Sequence, residues 1–265
     1  MTIPLIVHLY AQYPARKWLQ RALAGAAALS AVAVLGTWSR GALVAITAMG
    51  CLLWVRGSNK LAIFVGVLLF ALVAVPFMPA QWFERMHTIE TYQEDGSAMS
   101  RLNTWETAWN IAKDRFPIGG GFEYQSPKTS ARYSLDPLNS LVAHSIYFQT
   151  IGSQGFGGLA LFLLFWVMVW LQCGWIRRRT RNHPDLRWAF SIASMSQVSL
   201  VGYAVGGAFL DLAFWDLPYY VSAMIGVTQY VVRGEFARLS VSPDSPARDA
   251  VSAGARIPTA GMQSR

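Results

Sequence analysis

The sequence predicts an all-α protein: a polytopic membrane bundle of six spans, with a partial span at its N-terminus and one large loop that contains amphipathic helices. Of its 265 residues, 54% are apolar, eleven are Trp and only 14% are charged, roughly half the charged share of a soluble domain. Six apolar stretches approach the ~20 residues that a helix needs to cross a bilayer. Lys and Arg concentrate in the loops on one side of these stretches. The composition therefore excludes an ordinary soluble domain.

The six predicted spans follow one another with short connections, except at one place. They cover Ala22–Trp38, Gly41–Val55, Leu61–Met78, Gly155–Trp175, Trp188–Leu210 and Phe214–Val232. The second stretch is short, so its ends must reach the membrane interface if it is to cross ~30 Å of hydrocarbon. The large loop, Ala80–Ala143, separates the third stretch from the fourth.

Loop charge orients the predicted bundle. If every stretch crosses once, four basic clusters fall on one side: Arg16–Arg21, Arg56–Lys60, Arg177–Arg187 and Arg233–Arg238. Loops rich in Lys and Arg stay in the cytoplasm. The large loop instead carries six Lys/Arg and eight Asp/Glu, against sixteen and six in the rest of the chain, so we expect it on the opposite, non-cytoplasmic side. The pI near 9.8 then follows from topology, and we expect no nucleic-acid partner.

The two ends of the chain differ from the bundle. Thr2–Tyr10 is apolar but too short to span. We interpret it as the second half of a helix in a truncated chain, with an interfacial segment as the alternative. Residues 239–265 mix Ser, Pro, Ala, Gly and Arg without an apolar period, which predicts a disordered cytoplasmic tail. The predicted membrane domain therefore covers residues 1–238.

One helix is predicted inside the large loop. Apolar residues recur at three- and four-residue steps from Leu102 to Ala112, and Ser100 is a favoured N-cap. Pro117 and the three glycines after it end the pattern. We expect this helix to contact the bundle or the membrane surface through its two Trp residues. Arg101 would lie in the first turn, where a cation opposes the helix dipole; either an anionic partner holds it there or it is a solvated surface arginine.

Two further residues are candidates for a site. Arg40 lies in the hairpin between the first two spans, on the side where Lys and Arg are disfavoured. Its guanidinium offers donors suited to phosphate, or it extends to lipid phosphates as an anchor. His144 falls in a predicted interfacial helix, Leu138–Ile151, before the span that begins at Gly155. The positive end of that helix would favour a neutral imidazole and hence a proton acceptor, although a single interfacial histidine is more often structural.

The remaining polar residues give weaker signals. Asp211 and Asp216 flank the outer hairpin between the last two spans, where they could pair with Arg40 or Arg101, although solvated loop carboxylates are commoner. The fifth span has a small and polar face that helix packing explains best, formed by Ser191, Ser194, Gln197 and Gly202. The sequence has no nucleotide-binding loop, zinc spacing or paired acidic motif, so we expect no cofactor and no metal.

Four motifs stand in a fixed order along the chain. They are Ser39-Arg40-Gly41, Arg101-Leu102-Asn103-Thr104-Trp105, Gly119-Gly120-Gly121-Phe122 and the stretch His144–Gly158. In this order and placement they resemble the O-antigen ligase and polysaccharide polymerase superfamily of bacterial inner-membrane proteins, over about Ala22–Val232. The residues from Arg85 to Arg101 look particularly like the O-glycosylation ligases that accompany exosortase systems.

The resemblance implies a metal-independent glycosyltransferase with no cofactor at the periplasmic face of the inner membrane. A ligase of this kind moves an oligo- or polysaccharide from polyprenyl diphosphate to a hydroxyl of a glycan, lipid or protein acceptor. Arg40 and Arg101 would bind the diphosphate and stabilise charge on the leaving group. His144 would orient or deprotonate the acceptor. The polyprenyl tail of the donor would need a groove between membrane helices.

The sequence departs from the family pattern in two respects. Many relatives carry Asn directly after the corresponding histidine and an acidic residue before the next glycine, whereas this chain has Ser145 and Ser153-Gln154. We therefore expect no carboxylate role at that point. Relatives also usually have more N-terminal spans, so the resemblance predicts a truncated member that could lack part of its lipid groove and be inactive.

Three alternatives to a ligase stay open. A polymerase would use the same donor and differ only in its acceptor. A transporter of the lipid-linked glycan would need a polar path, but no charged residue lies well inside the six predicted spans. A noncatalytic membrane partner of a glycan assembly system is the third, and truncation would favour it.

Overall fold

In a computed structural model the protein is all-α, which confirms the predicted fold class. The structure describes residues 1–37, 39–57, 60–61, 96–137 and 142–241. The predicted third span, Leu61–Met78, lies almost wholly outside the described residues. So do the first part of the large loop and residues 242–265 of the predicted tail, whereas residues 239–241 continue the last helix.

Eight α-helices account for most of the described residues. They are α1 (Thr2–Gln12), α2 (Lys17–Gly36), α3 (Arg40–Arg56), α4 (Gly96–Asp114), α5 (Pro127–Tyr133), α6 (Ile146–Thr180), α7 (Arg187–Gly207) and α8 (Asp216–Val241). Two 3-10 turns, Gly121–Glu123 and Pro184–Leu186, complete them.

Helix α7 is the centre of the bundle, because α1, α3, α6 and α8 all pack against it. Small residues make this possible. A Cβ at Gly202 would overlap Met49 of α3, and a Cβ at Gly206 would press on Ala45 at 3.3 Å. Close approach of helices through glycine and alanine is typical of membrane bundles.

The other face of α7 forms an apolar core with α6 and α8. Buried there are Cys173, Ile176, Ala189, Ala193, Ile225 and Val232. The face of small and polar residues on the predicted fifth span therefore does pack against neighbouring helices, although some of its polar residues also have specific hydrogen-bond partners.

Helix α6 changes direction at Gly155, where φ is 70° and ψ is −169°. This conformation is essentially restricted to glycine. The sequence predicted such a break between an interfacial helix and the span that begins at Gly155, and the structure has it at that residue. The interfacial part, however, begins at Ile146 and not at Leu138, because His144 has a left-handed φ of 46° and Ser145 is the N-cap. Residues 138–141 lie outside the described residues.

Two of the described helices are long and apolar enough to cross a membrane: Ile146–Thr180 and the segment Pro184–Gly207, while Gly41–Arg56 is apolar but shorter. Helices α2, α3, α6, α7 and α8 coincide with five of the six predicted spans. The full count of six spans stays a prediction.

Candidate functional site

One end of the bundle, called here the His144 end, gathers the residues that the sequence selected. It is the end where α3 and α6 begin and α7 ends. Gly41, next to Arg40, packs against Phe209 so closely that a Cβ would lie 2.8 Å from the Phe209 Cβ. Gly207 packs against Ile146 in the same way. The starts of α3 and α6 are therefore both held against the chain that leaves α7.

Arg40 is the first residue of α3. Ser39 is the N-cap, and its hydroxyl accepts a hydrogen bond from the Ala42 amide at 3.4 Å. This cap ends the hairpin that the sequence predicted and fixes the backbone of Arg40 at the His144 end.

His144 is exposed and lies just before the N-cap of α6. Its backbone is held by its neighbour, since the indole Nε1 of Trp105 donates to the Ala143 carbonyl at 2.6 Å. Trp105 also stacks on Phe148, with ring centroids 4.7 Å apart. The left-handed φ of His144 costs free energy for a residue with a side chain. The surrounding contacts fix this conformation, and an observed outlier of this kind points to a functional site.

Arg101 lies on α4, one helical turn before Trp105. The predicted place of Arg101 in a first turn was wrong, because α4 begins at Gly96 and Ser100 lies inside the helix, where its carbonyl accepts from the Thr104 hydroxyl at 2.8 Å. Gly96-Ser97 offers an earlier start for the same helix. The dipole argument for an anionic partner therefore fails. A different observation replaces it: Nε of Arg101 is buried and has no hydrogen-bond partner within the described part of the chain.

Two glycine runs join the large loop to α6. The Gly120 amide donates to the Gly152 carbonyl at 2.8 Å, and the Gly157 amide donates to the Pro117 carbonyl at 3.2 Å. A Cβ on Gly155 would overlap backbone atoms of the loop. Both glycine runs are visible in the sequence, but the sequence does not predict that they contact each other. Their contact brings the residues just after the loop glycines, Tyr124 among them, against α6.

A carboxylate completes the His144 end. Burial raises the pKa of Asp211, and the nearby His144 imidazolium acts to lower it. Burial likewise raises the pKa of the Tyr124 hydroxyl, and Asp211 adds to that effect. Among the described residues, Asp211 Oδ1, Tyr124 Oη and Gln125 Nε2 are buried without a well-formed hydrogen bond, although the Gln125 amide lies close enough to the Asp211 carboxylate to act against the rise in its pKa. Asp211 therefore lies beside both His144 and the large loop.

The loop that carries Asp211 is rigidly held from three sides. The Ala213 amide donates to Oε1 of Gln149 on α6 at 2.8 Å. The Tyr203 hydroxyl donates to the Leu212 carbonyl at 3.1 Å, and the Tyr219 hydroxyl donates to the Ala213 carbonyl at 2.7 Å. Asp211 is thus positioned by α6, α7 and α8 together.

Four buried polar atoms of the described residues, from Arg101, Tyr124, Gln125 and Asp211, lie at one end of the bundle without a well-formed hydrogen bond. Buried polar groups in native proteins are normally hydrogen-bonded. A polar ligand that offers acceptors to the arginine and hydroxyl groups to the carboxylate would satisfy them. In the sequence, Asp211 is only a weak candidate, and the one signal for Tyr124 and Gln125 is their place shortly after the loop glycines.

An apolar groove starts at this site and runs along the helices. It encloses about 220 Å³ between α6 and α7. Its lining begins with Ile146 and Tyr147, next to the N-cap of α6, and continues to Trp166 and Trp170. Part of a long hydrocarbon chain could lie in it. No group of three or more His, Cys, Asp or Glu that could hold a metal occurs in the described ranges.

Comparison with known proteins identifies the family. The family model described as O-antigen ligase matches residues 25–163, more than half of the chain. The match includes Arg40, Arg101 and His144, whereas Asp211 lies beyond it. Searches of curated proteins and of solved structures found no match. The chain therefore belongs to the O-antigen ligase family, a membrane-associated family of ligase- or polymerase-type glycosyltransferases that use lipid-linked glycans.

Proposed function

We propose that this chain is a glycan ligase that transfers an oligo- or polysaccharide from polyprenyl diphosphate to an acceptor hydroxyl. The observation that carries the proposal is the set of buried polar atoms without a well-formed hydrogen bond at the His144 end, next to an apolar groove. A lipid diphosphate joined to a sugar has the matching chemistry: an anion for arginine, hydroxyls for a carboxylate and a hydrocarbon tail for the groove.

In the proposed reaction, the acceptor oxygen forms a bond to the anomeric carbon of the donor sugar while the bond from that carbon to the phosphate oxygen breaks. The electron pair leaves with polyprenyl diphosphate. Arg101 and Arg40 bind the diphosphate and stabilise its growing charge, because the guanidinium fork matches phosphate oxygens. The buried Nε of Arg101 is a donor available for this role.

His144 is the proposed base that takes the proton of the acceptor hydroxyl. Its exposure at the start of α6 allows an acceptor to approach. Asp211 is proposed to orient the imidazole and to stabilise the imidazolium that forms, since the two groups interact electrostatically. No step in this sequence requires a metal or a cofactor.

The groove between α6 and α7 is the proposed seat for the first isoprenoid units of the donor. The proximity of Ile146 and Tyr147, which line its start, to His144 supports this assignment, because the diphosphate must lie close to the base. The His144 end would face the periplasm of the inner membrane in a multi-pass protein, since the basic clusters lie at the opposite end. A polymerase would use the same residues with a glycan acceptor.

Conservative arginine variants test this proposal. In membrane vesicles supplied with a polyprenyl diphosphate-linked glycan, Arg101→Lys should lower the transfer rate about a hundredfold, because a point charge cannot reproduce the guanidinium fork. Arg40→Lys should behave similarly. Arg132→Lys is the matched control, because Arg132 is an exposed residue of the same loop that pairs with Asp114 at 3.3 Å. Wild-type rates in both site variants would refute the proposed diphosphate contacts.

A further inference from the structure

A second cavity lies at the opposite end of the bundle, where α3 and α6 end and α7 begins. It encloses about 530 Å³. The lining residues come from all three helices and from the residue that follows α6; they are Arg56, Trp170, Gly174, Arg177, Arg178, Arg181, Phe190 and Gln197. Half of these are arginines, and no carboxylate is among them in the described part of the chain. Trp170 also lines the far end of the groove proposed for the donor lipid, whereas the arginines and Gln197 take no part in the proposed transfer reaction.

A buried glutamine organises the cavity. Gln197 is only 2% exposed. Its Oε1 accepts from Nη1 of Arg56 at 2.8 Å and from Nη1 of Arg177 at 3.0 Å. Its Nε2 donates to the Trp170 carbonyl at 3.1 Å, which fixes the orientation of the amide. Two guanidinium groups from different helices are thus directed to one atom.

Further contacts hold both arginines in place. Nε of Arg177 donates to the Ser194 hydroxyl at 3.0 Å. The Arg56 guanidinium lies 5.4 Å from the ring centroid of Trp170, and that of Arg177 lies 5.6 Å from the centroid of Phe190, within the range of cation–π attraction. Their remaining donors are therefore presented in a fixed geometry, which lowers the entropy cost of binding a ligand.

The charges in this arrangement are not balanced within the cavity. Arg56 and Arg177 share one neutral oxygen, and an amide cannot offset two positive charges that repel each other. Arg178 and Arg181 add two more positive charges to the lining. An anion between these groups would remove the repulsion and accept several charge-assisted hydrogen bonds. Phosphate is the anion whose geometry the guanidinium fork matches best.

The location of the cavity favours a lipid as the source of that phosphate. It lies at the end of the two helices that can cross a membrane, among the basic residues that predict the cytoplasmic surface. A volume of about 530 Å³ is in the range of sites for ligands of drug size, and its aromatic wall suits the apolar part of a lipid better than a free ion. We propose that this cavity binds the phosphate headgroup of an anionic phospholipid in the cytoplasmic leaflet. Basic pockets between membrane helices are a recognised form of such sites.

Native mass spectrometry of the full chain in detergent, titrated with phosphatidylglycerol or phosphatidylcholine, tests the proposal. We expect phosphatidylglycerol to bind in preference, and Arg177→Gln or Arg56→Gln to weaken its binding at least about tenfold, as expected for a lost charge-assisted hydrogen bond. Arg179→Gln is the matched control, because Arg179 carries the same charge on α6 but lies outside the cavity lining, over Trp175. It should leave the affinity within about twofold.

A variant that leaves the net charge unchanged distinguishes a specific binding site from diffuse electrostatic attraction. Ser194→Ala keeps every arginine but removes the hydroxyl that accepts from Arg177, and we expect binding to weaken by several-fold. Equal weakening in Arg179→Gln and Arg177→Gln would overturn the proposal, because the attraction would then be diffuse. Equal binding of the two lipids would also overturn it. Competition by inorganic phosphate at the same concentration as the lipid would identify a small-anion site instead.

Discussion

The contact between the two glycine runs makes a quantitative prediction about Gly155. Replacement by Ala would force a side chain into a conformation with φ 70° and ψ −169°, which costs about 1–3 kcal/mol. The new Cβ would also overlap the Pro117 carbonyl and the Gly119 amide. Both are backbone atoms that cannot rotate away, so the loop must move. We expect Gly155→Ala to lower the free energy of unfolding by about 3 kcal/mol, or Tm by roughly 6–12 °C.

Thermal unfolding of the purified protein in detergent checks this value, with Gly157→Ala as the control. A Cβ on Gly157 would lie 3.5 Å from the Pro117 carbonyl oxygen, an ordinary contact. Because Ala favours helix over Gly, this control should be neutral or stabilising by up to about 1 kcal/mol. If both variants unfolded at the same temperature, the proposed contact between loop and kink would be refuted.

Two other predictions concern the His144 end. Burial raises the pKa of Asp211, so the folded protein favours the neutral carboxyl group more than the unfolded chain does. The resulting stability is complete at a pH below the ordinary pKa of Asp and is lost as the pH rises through the raised pKa of the folded protein. Asp211→Asn, which stays neutral, should therefore raise Tm near pH 7.5 and leave it unchanged near pH 3; an equal gain at both values would contradict this. Trp105→Phe keeps a ring to stack on Phe148 but loses the hydrogen bond to the Ala143 carbonyl, so transfer should fall about tenfold to a hundredfold at normal protein abundance. Unchanged transfer would show that this bond does not position His144.

The helices were predictable because apolar length and loop charge are local properties of the sequence. The break at Gly155 could be predicted as well, since the apolar stretch after it is long enough to span without the residues before it. Helix starts were less predictable. Ser100 and Gly96-Ser97 both offer plausible starts for α4, and only the folded chain distinguishes them. The sequence predicts His144 within a helix, because a left-handed φ at a histidine leaves no signal in a single sequence.

The candidate site was predictable only in part, for a physical reason. Arg40 and His144 are residue types that are uncommon at their predicted positions in the membrane topology, and this can be recognised from the local sequence. Asp211 and Tyr124 are ordinary loop residues until the fold buries them beside His144. The role of Gln197 was hidden in the same way, since a polar residue in a span is usually a packing residue, whereas here it holds two arginines from other helices. These roles depend on contacts between distant parts of the chain, which bury the side chains and pair them.

The role of His144 is the central claim, and one comparison tests it most directly. The rate of glycan transfer per molecule of folded protein should be measured for the wild type, His144→Gln and His144→Ala, with abundance determined on the same membranes. A catalytic base predicts that both variants fold normally and lose on the order of a hundredfold to ten-thousandfold in rate. A structural histidine predicts that His144→Gln transfers near the wild-type rate while His144→Ala is less abundant. An active His144→Gln protein would contradict the proposed mechanism.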